Sequence, residues 1–245
     1  MDKEKIVQNT ESYDLIGDVH GHADLLSALV EKLGYSRKGP SYEHPQGRKL
    51  VFVGDLVNRG PDSAGVLRIV RKTWEEGNAY VALGNHEFRI LQLSSMNKGL
   101  PDTSYEPFIP WLKTLPLFLD LEDIRVVHAA WHISSISLIS QNPVPDNSFM
   151  QATFVKNSPE RKAVDHILKG VKANLPEGSI LRDRFGIVRQ AGRLRWWEDL
   201  RGKPFAEALF SPMYGNSLEE TPNPEDIEKV EPYPKNDKPV FIGHY

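Results

Sequence analysis

Five short runs of carboxylates, histidines and an asparagine, mostly flanked by glycine, punctuate this 245-residue chain: Gly17-Asp18-Val19-His20-Gly21, Gly54-Asp55-Leu56-Val57-Asn58-Arg59-Gly60, Gly84-Asn85-His86-Glu87, Val127-His128-Ala129-Ala130 and Gly243-His244-Tyr245. Four follow at once on apolar stretches that read as β-strands: Tyr13 to Ile16, Leu50 to Val53, Tyr80 to Leu83 and Val240 to Ile242. His128 stands at the end of the fifth, Ile124 to Val127. In open α/β sheets the carboxyl ends of strands line the ligand crevice. Asp18 and Asp55 are 37 residues apart, Asp55 and Asn85 30, and Asn85 and His128 43, each gap long enough for a crossover helix and a return strand. The sequence thus disperses groups that such a fold would gather at one edge.

Carboxylate, imidazole and amide oxygen suit divalent ions such as manganese, iron or zinc, and with no cysteine in the chain a thiolate site, a disulfide and thiol catalysis are excluded. A carboxylate bridging two ions about 3.5–4 Å apart clamps the attacking and leaving oxygens of a phosphoryl displacement. Asp55 is the candidate bridge.

In their order, Gly-Asp-x-His-Gly, Gly-Asp-x-x-x-Arg-Gly, Gly-Asn-His-Glu, His-Ala and Gly-His, these runs resemble the calcineurin-like metallophosphoesterases, and more closely the phosphoprotein phosphatase branch with its bacterial dinucleoside tetraphosphatase relatives. The resemblance spans Tyr13 to Tyr245, with nothing specific between about 134 and 192. It implies an α/β fold of two mixed β-sheets packed face to face and flanked by helices. It also implies two divalent ions, with manganese expected and iron or zinc as alternatives. Asp18, His20 and Asp55 would hold one ion; Asn85, His128 and His244, with Asp55 shared, would hold the other. His86 would protonate the leaving oxygen and Arg59 would grip the phosphate, while a hydroxide held by the metals attacks phosphorus in line. The family's second phosphate-binding arginine would fall on Arg193 or Arg195.

Two departures from the family pattern bear on substrate. Asn58 stands where the protein phosphatases carry an aspartate; it can accept a hydrogen bond from the His86 imidazole but brings no charge to stabilise imidazolium. This favours a dinucleoside polyphosphate or a small phosphoester. Glu87 after the histidine points instead to a serine/threonine protein phosphatase, the alternative; a non-catalytic phosphate- or metal-binding module is a third reading. The chain also stops at Tyr245, where relatives add further strands: either the sequence is truncated there or the final C-terminal strands are absent.

The rest of the chain reads as a single domain over 1–245. Ala23 to Leu33, with Leu25, Leu26, Leu29, Val30 and Leu33 on one face, and Ser63 to Thr73 are predicted crossover helices. Glu87 to Leu93 is predicted to point its helix N-terminus at bound phosphate. A helical insert is expected at about 134–177, with Val164, Ile167, Leu168, Val171 and Leu175 at helical spacing behind a Ser158-Pro159-Glu160 start. In Arg193-Leu194-Arg195-Trp196-Trp197 a strand would segregate Arg193, Arg195 and Trp197 from Leu194 and Trp196. Residues 211–239, rich in proline, are expected to loop over the site. Asp24 reads as a first-turn helix residue, and His22, His44, His132 and His166 receive no catalytic role.

A net charge of −3 and a pI near 6.3 give no basic footprint for nucleic acid. No apolar run approaches the roughly 20 residues that cross a bilayer, and the first residues are charged. The expected partner is a small phosphorylated substrate or a phosphoprotein in the cytoplasm, without nucleic acid or membrane; the oligomeric state is left open.

Overall fold

A computed structural model describes residues 11–141, 145–176, 181–182, 186–210 and 219–244. The charged start of the chain, Tyr245, residues 142–144 and 177 of the expected insert, and 211–218 of the proline-rich stretch lie outside the described residues.

The first half alternates strands and helices: β1 (Tyr13–Ile16), α1 (Ala23–Lys32), a small hairpin of β2 (Ser36–Lys38) and β3 (Ser41–Glu43), β4 (Lys49–Phe52), α2 (Ser63–Glu75), β5 (Ala79–Val81) and α3 (Asn85–Ser95). β1, β4 and β5 form a parallel sheet in that order. Crossover helices between successive strands force this parallel arrangement. After a 3-10 turn (Thr103–Phe108) and α4 (Ile109–Leu112), β6 (Phe118–Asp120) and β7 (Arg125–Val127) make an antiparallel hairpin. α5 (Ile133–Ser140), α6 (Asn147–Ala152) and α7 (Pro159–Lys169) follow, then short strands β8 (Lys172–Asn174), β9 (Leu181–Arg182), β10 (Val188–Arg189) and β11 (Ala191–Arg193), helices α8 (Phe205–Ala208) and α9 (Pro224–Ile227), and β12 (Val240–Phe241). β12 joins β7 in parallel, giving a second, mixed sheet β12-β7-β6.

Strand alternation explains how the sheets stack. Val51 and Val53 of the first sheet meet Val126 of the second in a separate buried cluster, with Tyr13, Leu15, Tyr80 and Ile124 packed around it. The alternate residues Leu50 and Phe52, and Val127 across the layer, belong to the larger core with the helices. The result is two sheets face to face with helices outside. Among the described residues no helix is long and apolar enough to cross a membrane.

Two local expectations need correction. On α1, Leu26 and Val30 are buried, but Leu25 is 61% and Leu29 44% exposed. The leucine stripe is wider than the strip of helix that one neighbouring layer can cover. In the expected insert, the Ser158 side chain does cap α7 by accepting from Arg161 N (3.1 Å), yet the helix stops at Gly170, whose φ of 78° a helix cannot continue. Val171 and Leu175 therefore flank strand β8 instead of extending the helix.

The described part of the proline-rich stretch packs against the second sheet. Tyr233 Oη accepts from Arg125 Nη1 (2.7 Å) and Tyr233 N donates to Trp197 O (3.3 Å), while α9 packs on β8. These contacts carry the chain to β12 and so to His244.

Candidate metal centre

The loops that follow β1 and β4 are bound to each other through the backbone. Val19 N and His20 N both donate to Asp55 O (3.1 and 2.9 Å), Gly21 N to Leu56 O (2.8 Å) and Gly60 N to His20 O (2.8 Å). Such tight turning requires left-handed backbone. His20, Asp55, Asn58, Arg59 and His244 are five of the seven non-glycine residues with positive φ among the described residues. Strained conformations persist only where surroundings over-determine them, and they gather at functional sites. At Gly54 (φ 102°) an added Cβ would run into the Gly84 backbone, so glycine lets the ends of β4 and β5 approach.

The side chains converge on Asp55. Its Oδ1 accepts from His86 N (3.1 Å); its Oδ2 lies 3.4 Å from His128 Nε2, 3.7 Å from His20 Nε2 and 3.8 Å from His86 Nε2. Two three-residue groups share this carboxylate, His20–Asp55–His86 and Asp55–His128–His244, each with ligand atoms within 4.8 Å of one another. Asp18 Oδ2 is 3.8 Å from His20 Nε2, and both Asp18 oxygens take the His244 N–H (3.1 and 3.2 Å). Asn85 Oδ1 and His244 Nδ1 stand 3.1 and 3.2 Å from His128 Nε2. All six expected ligands are thus brought to one place, and His86 stands further into the cluster than a purely proton-donating role required. The His86 N–H, in the first turn of α3, is taken up by Asp55.

The donor set fits divalent cations. His20 Nδ1 contacts Val57 O (3.1 Å) and His128 Nδ1 contacts Val53 O (2.9 Å), which places each ring proton on Nδ1 and turns the Nε2 lone pair inward. His20 Nε2 is buried with no hydrogen-bond partner among the described residues. His128 Nε2 faces the oxygens of Asn85 and Asp55, an arrangement that repels unless a positive charge stands between them. A proton can serve as that charge: burial opposes it, but Asp55 outweighs burial and raises the His128 pKa. Burial likewise works to raise Asp55, while His128 and the His86 N–H overcome it and hold the carboxyl down at about 2.

The environment of His86 reverses one expectation. Tyr105 Oη donates to Asn58 Oδ1 (3.1 Å), leaving the Asn58 amide nitrogen to face His86 Nδ1 at 2.8 Å. Asn58 therefore donates to the imidazole instead of accepting from it, and the neutral ring carries its proton on Nε2, towards Asp55. Burial lowers the His86 pKa; Asp55 opposes this, and His20 and Arg59 add to it. Arg59, exposed at φ 70°, is held at the rim by the backbone turn.

The two later arginines part ways. Arg193 Nη2 lies 2.7 Å from His244 Nε2, and burial, with His128 and Arg193 alongside, pushes His244 down to about 3. Arg195 instead donates to Leu209 O (3.1 Å) and pairs with Glu198 at 3.5 Å. The alternation read from Arg193 to Trp197 holds, with Leu194 and Trp196 buried.

Sequence reasoning overlooked Glu87 and Tyr105 as parts of the site. Glu87 is fully buried, and its carboxylate accepts four backbone N–H groups: Asp55 (2.8 Å) and Gly84 (3.0 Å) on Oε2, Leu56 (2.8 Å) and Val57 (3.1 Å) on Oε1. Burial and nearby Asp55 push its pKa up to about 7 against the pull of those N–H groups. Glu87 fixes the loop that holds Asp55, and its position three residues after the Gly84 N-cap was a readable sign, being half of a capping box. Tyr105, on a 3-10 turn in a polar stretch, left no such sign.

Sequence order, stacked sheets and converging ligands define a metallophosphoesterase. Residues 13–245 match the calcineurin-like phosphoesterase family, and the chain belongs to it. It is 53% identical over 74 residues to the asymmetrical bis(5'-nucleosyl)-tetraphosphatase PrpE of Halalkalibacterium halodurans, covering 30% of each protein. It is 34% identical over 139 residues to the protein of that name in Bacillus subtilis, covering 48% of this chain and 57% of the relative. The chain thus spans from under a third to just over half of the length of these relatives. Among solved structures, a metallophosphoesterase from Sphaerobacter thermophilus is similar at 22% identity and TM-score 0.34, covering 48% of this chain and 46% of that one.

Proposed function

We propose that this chain is a single-domain, dinuclear-metal phosphohydrolase that splits a phosphoanhydride bond of a dinucleoside polyphosphate. The observation that carries the reading is the pair of inward-turned Nε2 atoms of His20 and His128 on either side of Asp55, that of His20 buried without a hydrogen-bond partner among the described residues. Asp18, His20 and Asp55 would hold one divalent ion and Asp55, Asn85, His128 and His244 the other, manganese being the expected metal and iron or zinc the alternatives. Two ions bound there supply Lewis-acid stabilisation of charge on the phosphoryl oxygens and make water a nucleophile near neutral pH.

The protein's own groups do the rest. Arg59, exposed at the rim, offers a planar fork to phosphate oxygens. His86 presents Nε2–H beside Asp55, where a leaving oxygen would take up a proton. Arg193, next to His244, adds positive charge at the opposite edge.

The substrate class rests on the tetraphosphatase names of the relatives and on the uncharged Asn58. Glu87, the sequence sign for a protein phosphatase, is accounted for by its four backbone contacts and so no longer argues for a protein substrate. The test is manganese-dependent turnover of diadenosine tetraphosphate with the products resolved by chromatography, beside an aryl phosphate. Formation of ATP and AMP, or of two ADP, supports the reading. Cleavage of the aryl phosphate alone overturns it in favour of phosphomonoesters.

A further inference from the structure

A cleft of about 320 Å³ opens beside the metal centre between α3, α6 and α7, and Asn85 stands on its wall. Asn85, Arg89 and Gln92 follow one another at i, i+4 and i+7, so the face of α3 that presents Asn85 to His128 continues into the cleft. Just over one helical turn, about 6 Å of axis, separates Asn85 from Arg89. Across the cleft α7 contributes Arg161, Asp165 and Lys169, again at helical spacing, and Phe154 supplies an aromatic surface.

Charge in this cleft is unbalanced. Asp165 is shared by Lys169 (2.7 Å) and Arg161 (3.8 Å), so one carboxylate meets two cations. Arg89 is exposed and has no hydrogen bond or ion pair among the described residues. The polar amide of Gln92 is already occupied by Thr153 Oγ1 (2.9 Å), which holds the α3 wall in place. An uncommitted guanidinium one turn from a candidate metal ligand, facing two further cations across an open cleft, suits a chain of phosphates that begins at the metals.

We infer that the cleft binds a nucleoside oligophosphate, namely the phosphates and terminal nucleoside that extend beyond the phosphorus held at the metal centre. Arg89 takes the phosphate next to the metal-held one, Arg161 and Lys169 the phosphates further out, and Phe154 offers its ring to the base. This inference rests on the dinucleoside polyphosphate reading, and it gives the site a reason to prefer an oligophosphate to a simple ester.

The test is calorimetric titration of the protein as isolated with the β,γ-methylene analogue of ATP. Arg89→Ala is expected to weaken binding about tenfold, the loss of one charge-assisted contact. Asp165→Asn is expected to tighten it about threefold, because the carboxylate that competes with phosphate is gone; a purely structural role for Asp165 would weaken binding instead. No binding to the unmodified protein, equal binding by Arg89→Ala, or weaker binding by Asp165→Asn overturns the inference. The substrate reading fails separately. If the analogue behaves as expected while diadenosine tetraphosphate is not cleaved, the cleft stands as a nucleotide site and the substrate assignment falls; cleavage with binding insensitive to Arg89 gives the reverse.

Discussion

The two halves of the metal centre are built differently. Ligands from the first half are set locally: Asp18, His20 and Asp55 lie on turns tied together by backbone hydrogen bonds, Asn85 opens α3, and Glu87 of the same helix clamps the Asp55 loop. Those from the second half, His128 and His244, are oriented by reaching across to the first, His128 Nδ1 to Val53 O and His244 N to Asp18, while Gly243 N donates to His128 O (3.0 Å) and ties the two to each other. The lesson is that the first half forms a site by its own local geometry, whereas the second completes it only when the two sheets are packed.

The strongest way to break this asymmetry is Glu87→Gln. The amide retains one oxygen but turns an NH2 towards backbone N–H groups that the carboxylate now satisfies, at a cost of about 2–4 kcal/mol. Urea unfolding should show that loss; a stability within about 0.5 kcal/mol of the unmodified protein would deny Glu87 its clamping role.

A second prediction addresses the packing of the second half. His166 lies against His132 (ring centroids 4.2 Å), and burial, with His132 beside it, lowers its pKa from 6.5 to about 4. The folded state therefore binds fewer protons than the unfolded state between those values, so stability is complete above about pH 6.5 and falls as the pH drops towards 4. The expected loss is about 2–3 kcal/mol. Denaturant melts across that range should flatten in His166→Gln, and an identical slope in the variant would remove His166 as the cause.

The smallest effect sharpens the account of the proton donor. Asn58→Asp replaces an amide that donates to His86 with a carboxylate that accepts from it, which favours imidazolium and should raise the pKa of the His86-dependent limb of the pH–rate profile by about one unit. An unmoved limb would show that this neighbour does not tune His86.

The contrast between the halves also explains what could be read in advance. The strand-end runs were legible because short apolar stretches, glycines and ligand-type residues coincide over a few residues, as in Val51-Phe52-Val53-Gly54-Asp55. Helix α7 was legible at its start, where Ser158 and Pro159 form a local signal, but not at its end, where Gly170 breaks a pattern whose spacing runs on through Val171 and Leu175. Leu25 and Leu29 were misplaced because sequence gives the width of an apolar stripe and not the width of the surface that covers it. Tyr105, the exposed Arg89 and the cleft beside it depend on which helices face one another across long stretches of chain, and no local pattern carries that information.

The most direct test of the shared centre is the metal content of manganese-loaded protein after gel filtration, measured for the unmodified chain and for His128→Ala. The account predicts about two ions per chain in the first and no more than one in the second. A full complement retained without His128, or none bound to the unmodified protein, would contradict the assignment of these six residues to one dinuclear site.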